Sequence, residues 1–387
     1  MLARMSFEGS FVQNAIYIGR EPHAWPLTAA GWEGRAREAM SEGAFGYIAG
    51  GAGSESTMRA NLEAFDRYRL RPKMLRGNPT RDLAVEVLGT RSELPFFLGP
   101  VGVLSIAHPD AEPACGRAAA ANGVPFVLSS AAQATIEQVA EAMGDAPRWF
   151  QLYWINDRDV AASWLRRAET AGYSAIVLTL DTSILGWRPR DLRLAYLPFV
   201  TGEGCGQYFS DPVFCARLDR PPDEDPLAAA ALMLSMFPNL GLTWDDLAWL
   251  REQTSLPVLV KGILTGEDAR LAVEHGVDGI VVSNHGGRQV DGAVASLDAL
   301  VEVRAEVGDD YPLLVDGGVR RGSDVVKALA LGADAVLIGR PYAYGLAAGG
   351  REGVEEVIRQ LGAETDLTLA LVGAHSAGGL DRTWIAD

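Results

Sequence analysis

Apolar residues in this chain come in short unbroken runs, not in long alternating ones. "PFFLGP" from residue 95, "PFVLSS" from 125, "RWFQLYW" from 148 and "AIVLTLD" from 175 are followed by "PVLVKGI" from 257, "GIVVSN" from 279, "PLLVDGG" from 312 and "AVLIGR" from 335. Runs of this length, flanked by Gly, Pro, Ser or Asp, predict strands buried on both faces, as in a parallel sheet. Between them lie stretches with helical spacing, among them "DAEPACGRAAAANG", "DRDVAASWLRRAETAG", "GEDARLAVEHG" and "GSDVVKALALGAD", each opening near Asp, Gly or Ser and stopping at Gly. Eight strand-then-helix units predict an α/β fold of the (β/α)8 TIM-barrel type, not an open doubly wound sheet. No G-x-G-x-x-G follows a strand, which argues against a dinucleotide-binding half.

Two regions break the rhythm. Residues 1–90 precede the first strand and carry helical stretches around "AAGWEGRAREAM" and "SESTMRANLEAFDRYRL", so they read as an N-terminal helical cap on a barrel of residues 91–387. The connection from the fourth strand to the fifth, residues 182–256, is far longer than an ordinary loop plus helix. Insertions at that end of a barrel commonly form lids.

Charge and composition remove several function classes. The 387 residues carry a formal net charge of −16 with acids spread along the chain, which excludes nucleic acid as a natural partner. Cys115, Cys205 and Cys215 form neither an even disulfide framework nor a metal-binding spacing, pointing to a reducing cytoplasm and no metal site. The N-terminus lacks a sustained apolar region, so no signal peptide is expected. "AAAALMLSMF" at 228–237 is too short to span a bilayer and reads as a lid or core helix, so no membrane association is expected.

In a barrel of this kind the chemistry sits where strands end. Ser129 and Ser130 end the second strand, Gln151 and Tyr153 lie on the third, Thr179 and Asp181 end the fourth and Lys261 ends the fifth. The sixth ends in Ser283, Asn284 and His285, with Arg288 beyond; the seventh in Asp316, Gly317, Gly318 and then Arg320; the eighth in Gly339 and Arg340. His285 follows a strand at the catalytic end, between glycines that permit close approach and three residues from a guanidinium. His275 and His375 read instead as satisfied core residues. Other positions leave two readings open. Lys261 either snorkels or meets a buried anion, Asp181 is a catalytic carboxylate or a helix N-cap, and Arg188 is a site residue or a lid salt bridge. Tyr47 and Tyr153 read on pattern alone as packing residues. "VDGGVRRGSDVVKALALGADAVLIGRP" joins a Gly-Gly turn, an arginine and a helix start to a strand ending Gly-Arg, the makings of a phosphate grip.

"SNHGGRQVDG", "DGGVRRGSDVVKALALGA", "IGRPY", "QLYW", "LTLDT" and "LVKGI" resemble the FMN-dependent L-2-hydroxy acid oxidizing enzymes, from about residue 40 almost to the C-terminus. "YIAGGAGSESTMRAN", "LGWRPRDL", "DPVF" and "GRPYAYG" are most similar to the lactate 2-monooxygenase subgroup. The resemblance implies that His285 is the base, Asp181 its orienting carboxylate, and Arg288 and Arg188 the carboxylate clamp. It gives Tyr47 and Tyr153 to the substrate and Lys261 to the flavin as a redox-tuning cation. It sets the flavin on the backbone of Pro100, Val101 and Gly102, with polar contacts from Ser129, Gln151, Thr179 and Ser283, the ribityl chain on Asp316, and the phosphate on Gly318, Arg320, Gly339 and Arg340. Gly102 is expected to leave open space above the flavin where oxygen reacts.

The implied reaction takes a small L-2-hydroxy acid, L-lactate above all, with O2 as acceptor, and yields acetate, CO2 and water, or a 2-oxo acid and H2O2 if the product leaves first. The implied assembly is a homo-oligomer, a tetramer or octamer. Two features depart from the pattern: Ala131 where many relatives have tryptophan, and Val290-Asp291 where the monooxygenase subgroup has Ala-Asn. A non-redox barrel that grips phosphate is the competing class, but it would not need His285, Arg288 and Lys261 together.

Overall fold

The computed structural model describes residues 8–19 and 23–386. Its centre is a closed barrel of eight parallel strands: β1 (Phe96–Leu98), β2 (Phe126–Ser129), β3 (Arg148–Tyr153), β4 (Ile176–Thr179), β5 (Val258–Ile263), β6 (Gly279–Val282), β7 (Leu313–Val315) and β8 (Ala335–Ile338). Each of the eight apolar runs supplies one strand. The fifth continues two residues beyond Lys261, with an irregular register between Lys261 and Ile263 and Gly262 at φ +110°.

Side chains alternate along a strand, so one set of positions fills the barrel and the other meets the surrounding helices. Phe97, Val127, Trp149, Val177, Leu259, Val281, Leu314 and Leu337 pack together as the inner core. Moving two residues on along each strand therefore gives the next inward layer: Gly99, Ser129, Gln151, Thr179, Lys261, Ser283, Asp316 and Gly339. Apolar below and polar above, the interior changes character at the end where the loops gather. At the other end a hairpin, Val85–Val87 paired with Thr90–Ser92, sets Val87 against the inner core. The Trp149 indole donates to Thr90 Oγ1 at 2.9 Å there.

Helices Ala29–Ala39, Glu42–Ala49 and Ser56–Arg67 precede the barrel. Ordinary N-caps start the first two, Thr28 accepting from Gly31 N and Ser41 from Ala44 N. Helix Ser56–Arg67 is locked to the β6 loop by a buried reciprocal amide pair. Asn61 Nδ2 donates to Asn284 Oδ1 at 2.9 Å and Asn284 Nδ2 to Asn61 Oδ1 at 2.7 Å. Between β4 and β5 the chain forms short helices, including Pro226–Ser235, which lays Met233 and Leu234 over the barrel mouth. Among the described residues no helix is long and apolar enough to cross a membrane.

Candidate active site

The polar layer opens into a cleft of about 1410 Å³, counting solvent at its mouth. His285 reaches it from a left-handed backbone (φ +58°), followed by Gly286 and Gly287, also at positive φ. A non-glycine residue there is strained by on the order of 1–3 kcal/mol and needs support. Ser283 Oγ supplies it by accepting from His285 N at 3.0 Å while donating to Asp316 Oδ1 at 2.6 Å.

The imidazole meets its partners through Nδ1, with Asp181 Oδ1 at 2.8 Å, Thr182 Oγ1 at 3.2 Å and Lys261 Nζ at 3.5 Å. Burial pushes His285 below its ordinary pKa; Asp181 pulls the other way and is outweighed. Burial also works to raise Asp181, but His285 and Lys261 outweigh it and hold the carboxyl at about 2. The pair is therefore a neutral imidazole beside an ionised carboxylate, the state a general base requires at neutral pH. Asp181 caps no helix. Lys261 does not snorkel: it is 3% exposed, with Nζ 3.9 Å from Asp181 Oδ2 and 3.7 Å from Asp316 Oδ2. Burial lowers its pKa, but the two carboxylates outweigh this and raise it, keeping the ammonium charged.

Arg188 and Arg288 form a positive wall. Arg188 is 7% exposed and, among the described residues, makes no ion pair with a carboxylate, which sets aside a lid salt bridge. It donates from Nε to the Arg288 carbonyl at 3.2 Å and from Nη2 to Gln289 Oε1 at 3.0 Å. Arg288 donates to the carbonyls of Tyr47 and Gly50, and burial together with Arg188 pushes it down to about 9. Asp191 offsets part of the repulsion between the two cations, and a bound carboxylate would relieve more of it. Tyr47 and Tyr153 line the same cleft, with Ala131, Phe199, Tyr208, Met233 and Phe237 as its apolar part.

Several expected contacts look different in place. Ser129, Gln151 and Thr179 hydrogen-bond to one another, Ser129 Oγ to Gln151 Oε1 at 2.9 Å and Gln151 Nε2 to Thr179 Oγ1 at 3.0 Å, behind the cleft lining. Gly102 does not face open space: a Cβ there would lie 3.1 Å from Ala131 Cβ and 3.3 Å from Ala131 O. Gly318, at φ +94°, is glycine because a Cβ would strike Asn61 O at 2.7 Å. His275 is half-buried, its Nδ1 against Leu271 O at 2.9 Å near a helix end, and His375 is exposed, so neither is a core histidine.

Missed by sequence reasoning is Gln289, whose amide fills all of its hydrogen-bonding positions. It donates to the carbonyls of Asp181 (2.6 Å) and Ile184 (2.9 Å) and accepts from Gly186 N (3.2 Å) and Arg188. Thr182 was missed as well. Neither lies in a pattern of its own; only the fold brings 182–188 and 289 together.

At the β7 and β8 end the residues suit a phosphate. Among the described residues the Arg320 side chain donates only to the Val319 carbonyl and pairs with no carboxylate, leaving most of its N–H groups free. Burial lowers its pKa. Arg340 adds charge but is largely a brace, donating to Ile48 O, Gly50 O and Gly286 O. Pro100, Val101, Gly102, Asp316, Gly318 and Gly339 line the same continuous cleft between these cations and His285. This surplus of positive charge, a long cleft and a buried lysine fit a flavin mononucleotide.

The chain belongs to the FMN-dependent dehydrogenase family, whose model matches residues 36–387. It is an FMN-dependent 2-hydroxy acid oxidoreductase with FMN as its cofactor. It is 43% identical over 356 residues to the L-lactate oxidase of Lysinibacillus sphaericus, covering 92% of each chain. With the glycolate oxidase of Spinacia oleracea it shares 41% over 357 residues, 92% of this chain and 94% of that protein. A soluble mutant of the membrane-associated (S)-mandelate dehydrogenase from Pseudomonas putida superposes with a TM-score of 0.83 at 38% identity, covering 93% of this chain and 99% of that one.

Proposed function

We propose that the enzyme oxidises a small L-2-hydroxy acid, L-lactate in the first instance, and returns the electrons to O2. The observation that carries this reading is the 2.8 Å contact of His285 Nδ1 with Asp181 Oδ1, on one cleft with the Arg188 and Arg288 wall. The bound flavin supplies the two-electron acceptor. Arg288 and Arg188 hold the substrate carboxylate, and Tyr47 and Tyr153 bond its oxygens. Burial pushes Tyr153 up to about 12, so its hydroxyl stays a donor. His285 Nε2 takes the hydroxyl proton, and Asp181 stabilises the resulting imidazolium.

On the cofactor side, the backbone of Pro100, Val101 and Gly102 would hold the ring, and Lys261 would supply a fixed positive charge to it. Ser129, Gln151, Thr179 and Ser283 would give polar support from behind the lining, Asp316 would serve the ribityl chain, and Gly318, Arg320, Gly339 and Arg340 would serve the phosphate. The three cysteines are free, which supports a reducing compartment such as the cytoplasm. The family resemblance supports a homo-oligomer.

The outcome of the oxygen reaction turns on how long the product stays in the cleft. Met233, Leu234 and Phe237 line the cleft, and pyruvate retained there when H2O2 forms would be converted to acetate, CO2 and water, the lactate 2-monooxygenase outcome. Pyruvate that leaves first makes the enzyme an oxidase, the outcome favoured by the likeness to an L-lactate oxidase. Product analysis under air tests both: acetate without H2O2 supports retention, pyruvate with H2O2 supports release. A flavin that no 2-hydroxy acid bleaches anaerobically would overturn the whole proposal.

A further inference from the structure

The hydroxyl of Thr182 sits inside the contact between the base and its carboxylate. Thr182 is 8% exposed, and its Oγ1 lies 3.1 Å from Asp181 Oδ1 and 3.2 Å from His285 Nδ1. We propose that Thr182 is a positioning residue that holds His285 as the Nδ1–H tautomer and so keeps Nε2 free to accept a proton. The inference rests on His285 being the base.

A threonine hydroxyl has one proton and two lone pairs, and an ionised carboxylate can only accept. Thr182 therefore donates to Asp181 and turns a lone pair toward His285 Nδ1. Asp181 Oδ1, at 2.8 Å, makes the same demand for a proton on Nδ1. Lys261 opposes both. Its Nζ is 3.5 Å from Nδ1, and an ammonium there stabilises a lone pair on Nδ1, which would move the ring proton to Nε2 and disable the base.

Lys261 cannot simply be absent, because it also neutralises Asp181 and Asp316. Thr182 supplies the second acceptor that tips the balance. The other groups facing the ring are Arg188, a repelling cation, and Tyr153, whose ring stacks at 6.4 Å between centroids. Neither Arg188 nor Tyr153 hydrogen-bonds to Nδ1, so Thr182 and Asp181 together decide the tautomer.

The test compares wild type with Thr182→Val and Thr182→Ser as FMN-loaded enzymes. Only five histidines are present, so ¹⁵N-histidine NMR resolves the ring nitrogens, and loss of a signal in His285→Gln identifies His285. Wild type and Thr182→Ser are expected to show Nδ1–H alone, and Thr182→Val a mixture of tautomers. Anaerobic flavin reduction in Thr182→Val should be about three- to tenfold slower at neutral pH, the factor that one ordinary hydrogen bond gives. Its acid limb should move to higher pH, because Asp181, relieved of one donor, stabilises the imidazolium more strongly.

A single Nδ1–H tautomer and a wild-type pH profile in Thr182→Val would overturn the proposal, as would failure of Thr182→Ser to restore both. If Thr182→Val does not fold, Thr182→Ala is read by the same two measurements. Should no hydroxy acid reduce the wild-type flavin, the proposed function falls, while the NMR comparison still decides the role of Thr182.

Discussion

Arg188 is held in place by Arg288: its Nε donates to the Arg288 main-chain carbonyl at 3.2 Å, so two like charges share a wall of the cleft. The geometry fixes the Arg188 fork by both Nε and Nη2. Arg188→Lys keeps the charge but cannot reproduce that fork. It is expected to raise KM for the hydroxy acid by about tenfold, the order of one charge-assisted hydrogen bond, with a smaller change in kcat. Steady-state kinetics and a pyruvate-binding titration check this; an unchanged KM removes Arg188 from the clamp.

His285→Gln removes the base while keeping a polar side chain of similar reach. Anaerobic flavin reduction should fall by about 10²- to 10⁴-fold, the usual contribution of a positioned general base, with FMN still bound. Stopped-flow absorbance reads the rate directly, and a loss under tenfold would mean that another group takes the proton.

The pH dependence follows from two depressed groups. Because burial lowers His285 below its ordinary 6.5, kcat/KM should be level through neutrality and fall only at a pH below that value. Stability has the same sign. Where the unfolded chain binds protons that the folded one does not, acid favours unfolding. The His285 contribution is complete above about pH 6.5 and erodes below it. That of Asp181 is complete above its ordinary 3.8 and is lost as pH falls through about 2. Melting temperatures measured from pH 8 to pH 3 should decline in acid, less so in His285→Gln over the upper part of the range.

Gln289→Ala would release four hydrogen bonds that order residues 181–188 without touching the substrate. Both KM and kcat should worsen, since Arg188 and the Asp181 main chain lose their common anchor. Gln289→Glu should be no rescue, because a carboxylate cannot donate to the Asp181 and Ile184 carbonyls. Parallel kinetics on the two variants check this; recovery of activity in Gln289→Glu would show that only the contact with Arg188 matters.

The barrel was legible because strands buried on both faces must be apolar throughout, and the polar residues ending those runs fall on one mouth by the alternation of side chains. Legibility stopped where a role depends on distant partners. Tyr47 lies on helix Glu42–Ala49, whose glycine-rich sequence gives little helical signal. Arg340 ends a strand as a phosphate residue would, yet it spends most of its donors on Ile48, Gly50 and Gly286. Ser129, Gln151 and Thr179 have the right polarity, but their bonds to one another emerge only when neighbouring strands come into register.

The reciprocal amides of Asn61 and Asn284 join the segment before the barrel to the loop that bears the base. Replacing Asn284 alone would leave the buried Asn61 Nδ2 without the acceptor it uses, whereas the Asn284 amide keeps Val294 O and Gly287 N if Asn61 is replaced, so the two positions are coupled chiefly through Asn61. For anyone recombining segments between homologues, a crossover between residues 67 and 279 splits this pair and is sound only when both parents carry matching residues at its two ends. In that sense the opening stretch of the chain is heritable baggage of the catalytic loop, however far apart the two lie along the polypeptide.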